Sequence, residues 1–409
     1  MPSVLLFATL DTKGAEAAFI RTLLTSWRIP VTLVDVGAIG SPAVAPDIPR
    51  ERIFELAGTS LAAIVARSDR GEAVTSAAAG AARLAREQHA RGNVLGVIAI
   101  GGSAGTTIGT AAMKALPLGV PKVMLSTLAS GTVRQFVGDK DICMLNSVVD
   151  ILGLNRVSRE VLSQAARAMA GLVTFPGPQP QADDKPLVAA TMFGVTTKCI
   201  ERARAQLEAA GYEVLVFHAT GNGGQAMESL IADGVIAGVL DVTTTEIADE
   251  IVGGFLTAGP DRLTAAARRG VPQVVSTGAT DMVNFYAPES VPAAFAGRTF
   301  YRHNANVTLM RTTADENVRI GRDIARKLAA AAGPLAVLLP ARGVSAIDKE
   351  GQPFDDPVAR NALHDTIRAG LPGVEVVDLD LHINDAAFAD AAAGKLIDLM
   401  KRGKGEQSS

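Results

Sequence analysis

The chain has 409 residues, of which 48% are hydrophobic and 20% charged, and its formal net charge is −3. At roughly 150 residues per domain this length gives two or three domains, with ample apolar material for their cores. The near-balanced charge and the lack of any long Lys/Arg run exclude a nucleic-acid footprint, so no nucleic acid is expected among the partners.

The first apolar run, 4–8, reads as a strand; it is too short for a signal peptide and no basic n-region precedes it. A helix follows over 15–27 and a second strand over 31–36. The Ala-rich stretch 75–91 is helical by composition, 94–100 and 122–125 are strands, and 158–172 is a helix. The segment 175–186, FPGPQPQADDKP, has four prolines and little apolar content, and marks a linker. Strands resume at 187–192, 213–218, 235–242, 273–276, 335–340 and 374–379, and 401–409 reads as a flexible tail. Short apolar runs alternating with longer helical patterns indicate βα units. The expected fold is α/β: two Rossmann-like domains, each a mainly parallel sheet flanked by helices. The first is a nucleotide-binding domain at 1–174, the second lies at 187–400. Ala8-Thr9 is echoed by Ala190-Thr191, and Gly119-Val120-Pro121 with Ser126-Thr127 by Gly270-Val271-Pro272 with Ser276-Thr277. Duplication explains these echoes, and chance sharing of dipeptides is the alternative. No run of about 20 apolar residues occurs, so no membrane association is expected and the cytoplasm is the default location.

The strongest local signal is GVIAIGGSAGTTIGTAAMKAL (96–116), a buried strand running through small residues into a helix. Gly101, Gly102 and Gly105 allow close backbone approach and positive φ. Unpaired N–H groups and the helix dipole make the helix start an anion site suited to phosphate. Ser103, Thr106 and Thr107 add hydroxyls. The pattern is neither GxxxxGK[ST] nor GxGxxG, and a tight turn without a ligand is the alternative. Other turns at the same sheet edge extend the candidate site. Asp11, Thr12 and Lys13 follow the first strand: Lys13 suits a phosphate and Asp11 a Mg²⁺ held through water. Asp35 ends the second strand, where an acid can bond a ribose hydroxyl or simply cap a helix. Ser126, Thr127, Ser130 and Gly131 follow the 122–125 strand.

ATLDTKGAE (8–16), GGSAGTT (101–107) and LSTLASG (125–131), then VFHATGNGGQAMESL (216–230), LDVTTTEIADEIVGG (240–254) and PARGVSAID (340–348), resemble in order the motifs of the Tm-one-like ATP-binding family. The resemblance runs over nearly the whole chain. It implies two Rossmann-like domains, ATP in the first, and a homodimer. It also implies that a TIM-barrel-like module of the plant protein is absent here, with a separate barrel protein as a partner. Ala104 stands where the family pattern has Gly, which bears on φ at that position. The antiviral role of the plant protein is not carried over.

The second half is rich in polar residues at predicted strand ends. His218 has a pKa suited to general acid–base work near neutrality, Glu228 or Glu246 would orient it, and Asp241 ends the next strand. Arg342 would clamp a carboxylate, and Gly221, Gly223 and Gly224 would supply backbone donors. A structural His218 and helix-capping acids are the alternative, and Thr243 to Glu246 reads as a capping box. Asp281, Asn284, Arg311, Ser345 and Asp348 complete the set, with His303 and Asn304 in an irregular segment. Cys143 and Cys199 form no CxxC motif and the five histidines lack ligand spacing, so no metal site is expected. Two functions follow. One is an ATP-binding enzyme or enzyme subunit acting on a small acidic metabolite, bound in the second domain or between the domains. The other is a non-catalytic, ATP-stabilised dimeric binding module. A phosphosugar or dinucleotide in place of ATP is a third option.

Overall fold

The computed structural model describes residues 1–177, 181 and 183–406. It divides into two compact units, Met1–Pro180 and Gln181–Ser409. Each is an α/β sheet flanked by helices, the Rossmann-like architecture read from the sequence.

Unit 1 runs β1 (Ser3–Ala8), α1 (Leu10–Ser26), β2 (Val31–Asp35), α2 (Arg50–Leu56), α3 (Leu61–Arg67), α4 (Arg70–Ala90), β3 (Val94–Gly101), α5 (Ser103–Lys114), β4 (Lys122–Ser126), α6 (Arg134–Val137), β5 (Cys143–Asn146) and α7 (Arg156–Thr174). The strands form one parallel sheet in the order β2-β1-β3-β4-β5. Alternate side chains of each strand enter cores on opposite faces. Val4, Leu6, Ile98 and Ile100 pack with Ile20 and Leu24 of α1 and Leu162 of α7. Leu5, Phe7, Val97 and Ala99 pack with Phe54 of α2, Leu84 of α4 and Met113 of α5. Burial on both faces explains why these strands are continuous apolar runs. Several elements differ from expectation: α2, α3 and α6 are additional, and α4 starts at Arg70, ahead of 75. The helix 15–27 starts earlier, at Leu10, across a non-helical Lys13 (φ −124°, ψ 21°). β5, short and half-exposed at the sheet edge, is an addition to the expected strands, although Ile142-Cys143-Met144-Leu145 is a four-residue apolar run.

Unit 2 runs β6 (Leu187–Met192), α8 (Thr197–Ala209), β7 (Glu213–His218), α9 (Asn222–Ala232), β8 (Gly238–Thr243), α10 (Thr245–Val252), α11 (Ala265–Arg269), β9 (Gln273–Gly278), β10 (Met282–Phe285), β11 (Phe300–Asn304), β12 (Val307–Arg311), α12 (Ala314–Leu328), β13 (Leu335–Pro340), α13 (Pro357–Gly370), β14 (Glu375–Leu379) and α14 (Ala386–Glu406). Its six-stranded sheet has the order β7-β6-β8-β9-β13-β14, which repeats the unit 1 pattern and adds a strand. Helices α8 and α14 cover one face through Ile200, Phe388 and Leu396. Helices α10, α12 and α13 cover part of the other through Ile247, Ile324 and Leu363. The segment expected to be irregular around His303, Asn304 and Arg311 is a second, antiparallel sheet, β10-β12-β11. Its β11 is mostly exposed and therefore poor in the apolar residues that mark a strand. Of the linker read at 175–186, residues 178–180 and 182 lie outside the described residues, as do 407–409 of the tail, whereas α14 continues to Glu406.

Candidate functional site

Strand order in unit 1 reverses between β1 and β3, and doubly wound sheets take ligands at that point, outside the carboxyl ends of the strands. The β3–α5 turn stands there. Its backbone folds closely on itself: a Cβ at Gly101 would lie 2.7 Å from Gly105 Cα, and one at Gly105 would lie 2.9 Å from Ile100 O. The requirement is space and not backbone conformation. Gly101, Gly102 and Gly105 all lack the positive φ expected of them, and Ala104 sits unstrained within α5. Gly102 differs from its neighbours, because a Cβ there would meet only Thr127 Oγ1, at 3.6 Å. The first ladder bond of α5 runs from Thr106 N to Gly102 O at 2.8 Å. The N–H groups of Ser103, Ala104 and Gly105 therefore precede the ladder, at the positive end of the helix.

The threonine hydroxyls expected to serve as ligand donors are engaged by the backbone, Thr106 in the interior and Thr107 at the exposed surface. Thr106 Oγ1 donates to Gly102 O at 2.7 Å and lies 2.6 Å from Ser126 Oγ, which accepts from Leu128 N at 2.9 Å. Thr107 Oγ1 donates to Ser103 O at 3.0 Å. Thr106 and Ser126 thus brace the turn from beneath, and Ser103 stays exposed. Thr127 N donates to Gly101 O at 3.3 Å, while Ser130 and Gly131 are exposed further along that turn.

On the β1 and β2 side the charged residues are occupied. Thr9 and Thr12 share a hydroxyl contact of 2.8 Å, and Lys13 Nζ donates to Ile151 O. Asp35 Oδ1 accepts from Leu10 N at 3.0 Å and Gly37 N at 2.9 Å, and its Oδ2 lies 3.1 Å from Arg50 Nε. This buried carboxylate caps α1 and pairs with Arg50, which leaves no free face for a ribose hydroxyl. Asp11 accepts from Ile39 N at 3.2 Å and lies 4.0 Å from Arg50 Nη1, with its side chain 6% exposed. Its Oδ1 is buried without a hydrogen-bond partner, and the Arg50 guanidinium beside Oδ2 competes with a metal ion for the carboxylate. Among the described residues no group of three or more His, Cys, Asp or Glu is placed to hold a metal. Arg50 escaped the sequence reading, although two acids predicted at adjoining strand ends call for a cation.

In unit 2 the equivalent turn, β8–α10, is buried throughout, from Thr243 to Glu246. Thr243 Oγ1 donates to Thr191 O at 3.1 Å and Thr244 Oγ1 to Ser276 O at 3.0 Å. Glu246 makes no capping box; its Oε1 accepts from Gly221 N at 2.7 Å and Gly224 N at 3.0 Å. The glycine turn expected to cradle a ligand thus holds an internal carboxylate. Arg262, fully buried, donates to Asp241 (2.7 Å from Nη2 to Oδ1), to Glu246 Oε2 at 2.7 Å and to Glu228 Oε1 at 3.3 Å. Glu228 also accepts from the backbone N–H groups of Leu263, Thr264 and Ala265, capping α11. Asp241 and Glu228 are thereby partners of the buried Arg262. Arg342 forms a bidentate surface pair with Asp380, at 2.7 and 2.6 Å. His218 is exposed at the end of edge strand β7, its ring 5.5 Å from that of Phe193. Among the described residues no hydrogen bond or ion pair joins His218 or Arg342 to the Arg262 cluster.

Residues 2–177 match the N-terminal domain, and residues 185–400 the C-terminal domain, of the uncharacterised protein family UPF0261. The chain belongs to that family. It is 47% identical to a UPF0261 protein of Clostridium tetani and 46% identical to UPF0261 protein RA0729 of Rhizobium meliloti, each match covering 98% of this chain and 99% of the relative. The ToMV resistance protein Tm-1(GCR237) of Solanum lycopersicum is 38% identical over 98% of this chain, which spans 56% of the tomato protein. The Tm-one-like resemblance is therefore real homology. A glycosyltransferase, SnogD from Streptomyces nogalater, aligns with 98% of this chain and 100% of its own at 12% identity, but its TM-score of 0.21 carries no argument.

Two further carboxyl groups of this UPF0261 chain are displaced from their ordinary range. Burial pushes Asp249 up to about 8, against hydrogen bonds from Asn284 N (2.7 Å) and Asn284 Nδ2 (2.8 Å). Burial, aided by the Asp348 charge, pushes Asp281 up to about 7 while it accepts from Ser345 Oγ at 2.8 Å. Asp348 is held by Arg360 at 2.9 Å and Arg311 at 3.4 Å. All are buried; Asp249 ties α10 to β10, and the Asp281–Asp348 group knits the β9–β10 turn, β12, α13 and the loop after β13 together. No helix among the described residues is long and apolar enough to cross a membrane.

Proposed function

We propose that this protein binds a nucleotide, with the phosphate chain of ATP held at the β3–α5 turn of unit 1. The observation that carries this is the contrast between two equivalent turns. In unit 1 the turn offers three N–H groups ahead of the α5 ladder, over a glycine with free space above it. In unit 2 the corresponding residues, Thr243, Thr244, Thr245 and Glu246, are all fully buried. An anion from outside fits the first turn, whereas burial closes the second to it. Mg²⁺ arrives on the nucleotide's own phosphates, since the Arg50 guanidinium beside Asp11 disfavours a second cation there. The sequestered Glu228 and Asp241, and the dispersed His218 and Arg342, support binding over any particular reaction on a small acidic metabolite. The homodimer and the separate barrel partner rest on kinship with the tomato protein, and light scattering with and without ATP tests the first of them.

Calorimetric titration of Mg-ATP, Mg-ADP and NADH into the full chain is the direct test. Saturable ATP binding with a raised melting temperature is the expected result. Absence of binding by all three would overturn the proposal, and preference for NADH would redirect it to a dinucleotide.

A further inference from the structure

Unit 2 contains a cavity of about 410 Å³ between the β10-β12-β11 sheet and segment 288–296. Its wall is apolar, formed chiefly by Val291, Pro292, Phe295 and Phe300. Two polar residues line it, Arg302 on β11 and Thr308 on β12, and they are directly opposite each other in the antiparallel register. Residues so paired have Cβ atoms about 5 Å apart. Thr308 is 4% exposed, and its hydroxyl oxygen has no hydrogen-bond partner. Arg302 is exposed, and its guanidinium enters no hydrogen bond or ion pair among the described residues. Arg298, on the same stretch of chain, is by contrast held by Glu316 at 2.9 and 2.7 Å and by Arg311 O at 2.7 Å. A buried hydroxyl is normally satisfied, so this orphan beside an uncommitted guanidinium marks a place for an acceptor supplied from outside.

We propose that this cavity binds a small apolar monocarboxylate. Its carboxylate takes the Arg302 fork and accepts from Thr308, and its hydrocarbon body lies against Phe295, Phe300 and Pro292. The volume falls in the range of small-molecule sites, which are mostly apolar with a few placed polar groups. The guanidinium fork matches a carboxylate in two parallel hydrogen bonds. One guanidinium and one neutral hydroxyl balance a single negative charge, which selects a carboxylate over a phosphate dianion. The site is independent of the nucleotide turn in unit 1.

The test is calorimetric titration of the full chain with sodium octanoate, octanol and octyl phosphate. Octanoate is expected to bind saturably with one site per chain, at least about tenfold tighter than octanol, a difference of about 1.4 kcal/mol. Arg302→Gln, at an exposed position, should abolish that preference and leave octanol unchanged. Ala296→Phe should fill the cavity and remove both, with the melting temperature of each variant near that of the parent. The proposal is overturned by absent octanoate binding, by octanoate binding that survives both substitutions, or by octyl phosphate binding more tightly than octanoate.

Discussion

Replacing Gly102 by valine isolates the phosphate site from the fold. Gly102 has φ −79°, which any residue adopts, and a Cβ there meets only Thr127 Oγ1 at 3.6 Å. The variant should fold with a melting temperature close to the parent. The isopropyl group would occupy the space through which a phosphate reaches the N–H groups of Ser103 and Ala104. Losing two hydrogen bonds to a charged group, at about 1.5–3 kcal/mol each, removes at least about 3 kcal/mol. That is more than a hundredfold in Kd. The companion variant Gly105→Ala should do the reverse, because its Cβ would press on Ile100 O at 2.9 Å. It should lower the melting temperature whether or not nucleotide is present. Calorimetry with Mg-ATP beside thermal melts reads both effects. A folded Gly102→Val protein with parental ATP affinity would refute the placement.

Arg262→Leu leaves Asp241, Glu246 and Glu228 without their shared cation inside unit 2. Removing one partner of such a buried set costs about 3–5 kcal/mol, and denaturant melts showing less than about 1 kcal/mol would contradict the role assigned to it. The Asp249 carboxyl, raised from 3.8 to about 8 in the folded state, stabilises unit 2 fully below about pH 4. That contribution is lost as pH rises toward 8, with a slope of at most about 1.4 kcal/mol per pH unit. Asp249→Asn keeps the neutral form, with the Asn284 amide turned so that its unpartnered Oδ1 accepts. The melting temperature of this variant should depend less on pH between about 5 and 8, and an unchanged dependence would show that Asp249 does not titrate in that window. His218→Ala, at an exposed edge-strand terminus, should shift stability by no more than about 0.5 kcal/mol and leave ATP affinity intact. Loss of an ATP-dependent turnover in this variant would restore His218 as a catalytic residue.

Much of the fold was legible because the two large sheets are parallel and covered by helices, so their strands stand out as apolar runs: 187–192, 213–218 and 335–340 coincide with β6, β7 and β13. The strands that escaped, β5, β10, β11 and β12, are only four or five residues long, and β11 is mostly exposed. At the candidate site the glycine turn and its position after a buried strand were readable. The destinations of the polar side chains were not. Lys13, Thr106, Asp35, Glu228 and Asp241 were chosen for chemical type, and type does not say whether a residue's partner lies elsewhere in its own unit.

Sequence alone determined the βα periodicity, the location of small residues at the β3–α5 turn and the kinship with the tomato protein, because these depend on local composition and order. Only the tertiary structure decided which charges remain available. Arg50 and Arg262 are brought by distant segments onto acids that local reading had left free, and Glu246 crosses to the glycine turn at Gly221. Burying a charge demands a partner, and the partner is supplied by folding, across 15 to 25 residues or more of chain in these cases.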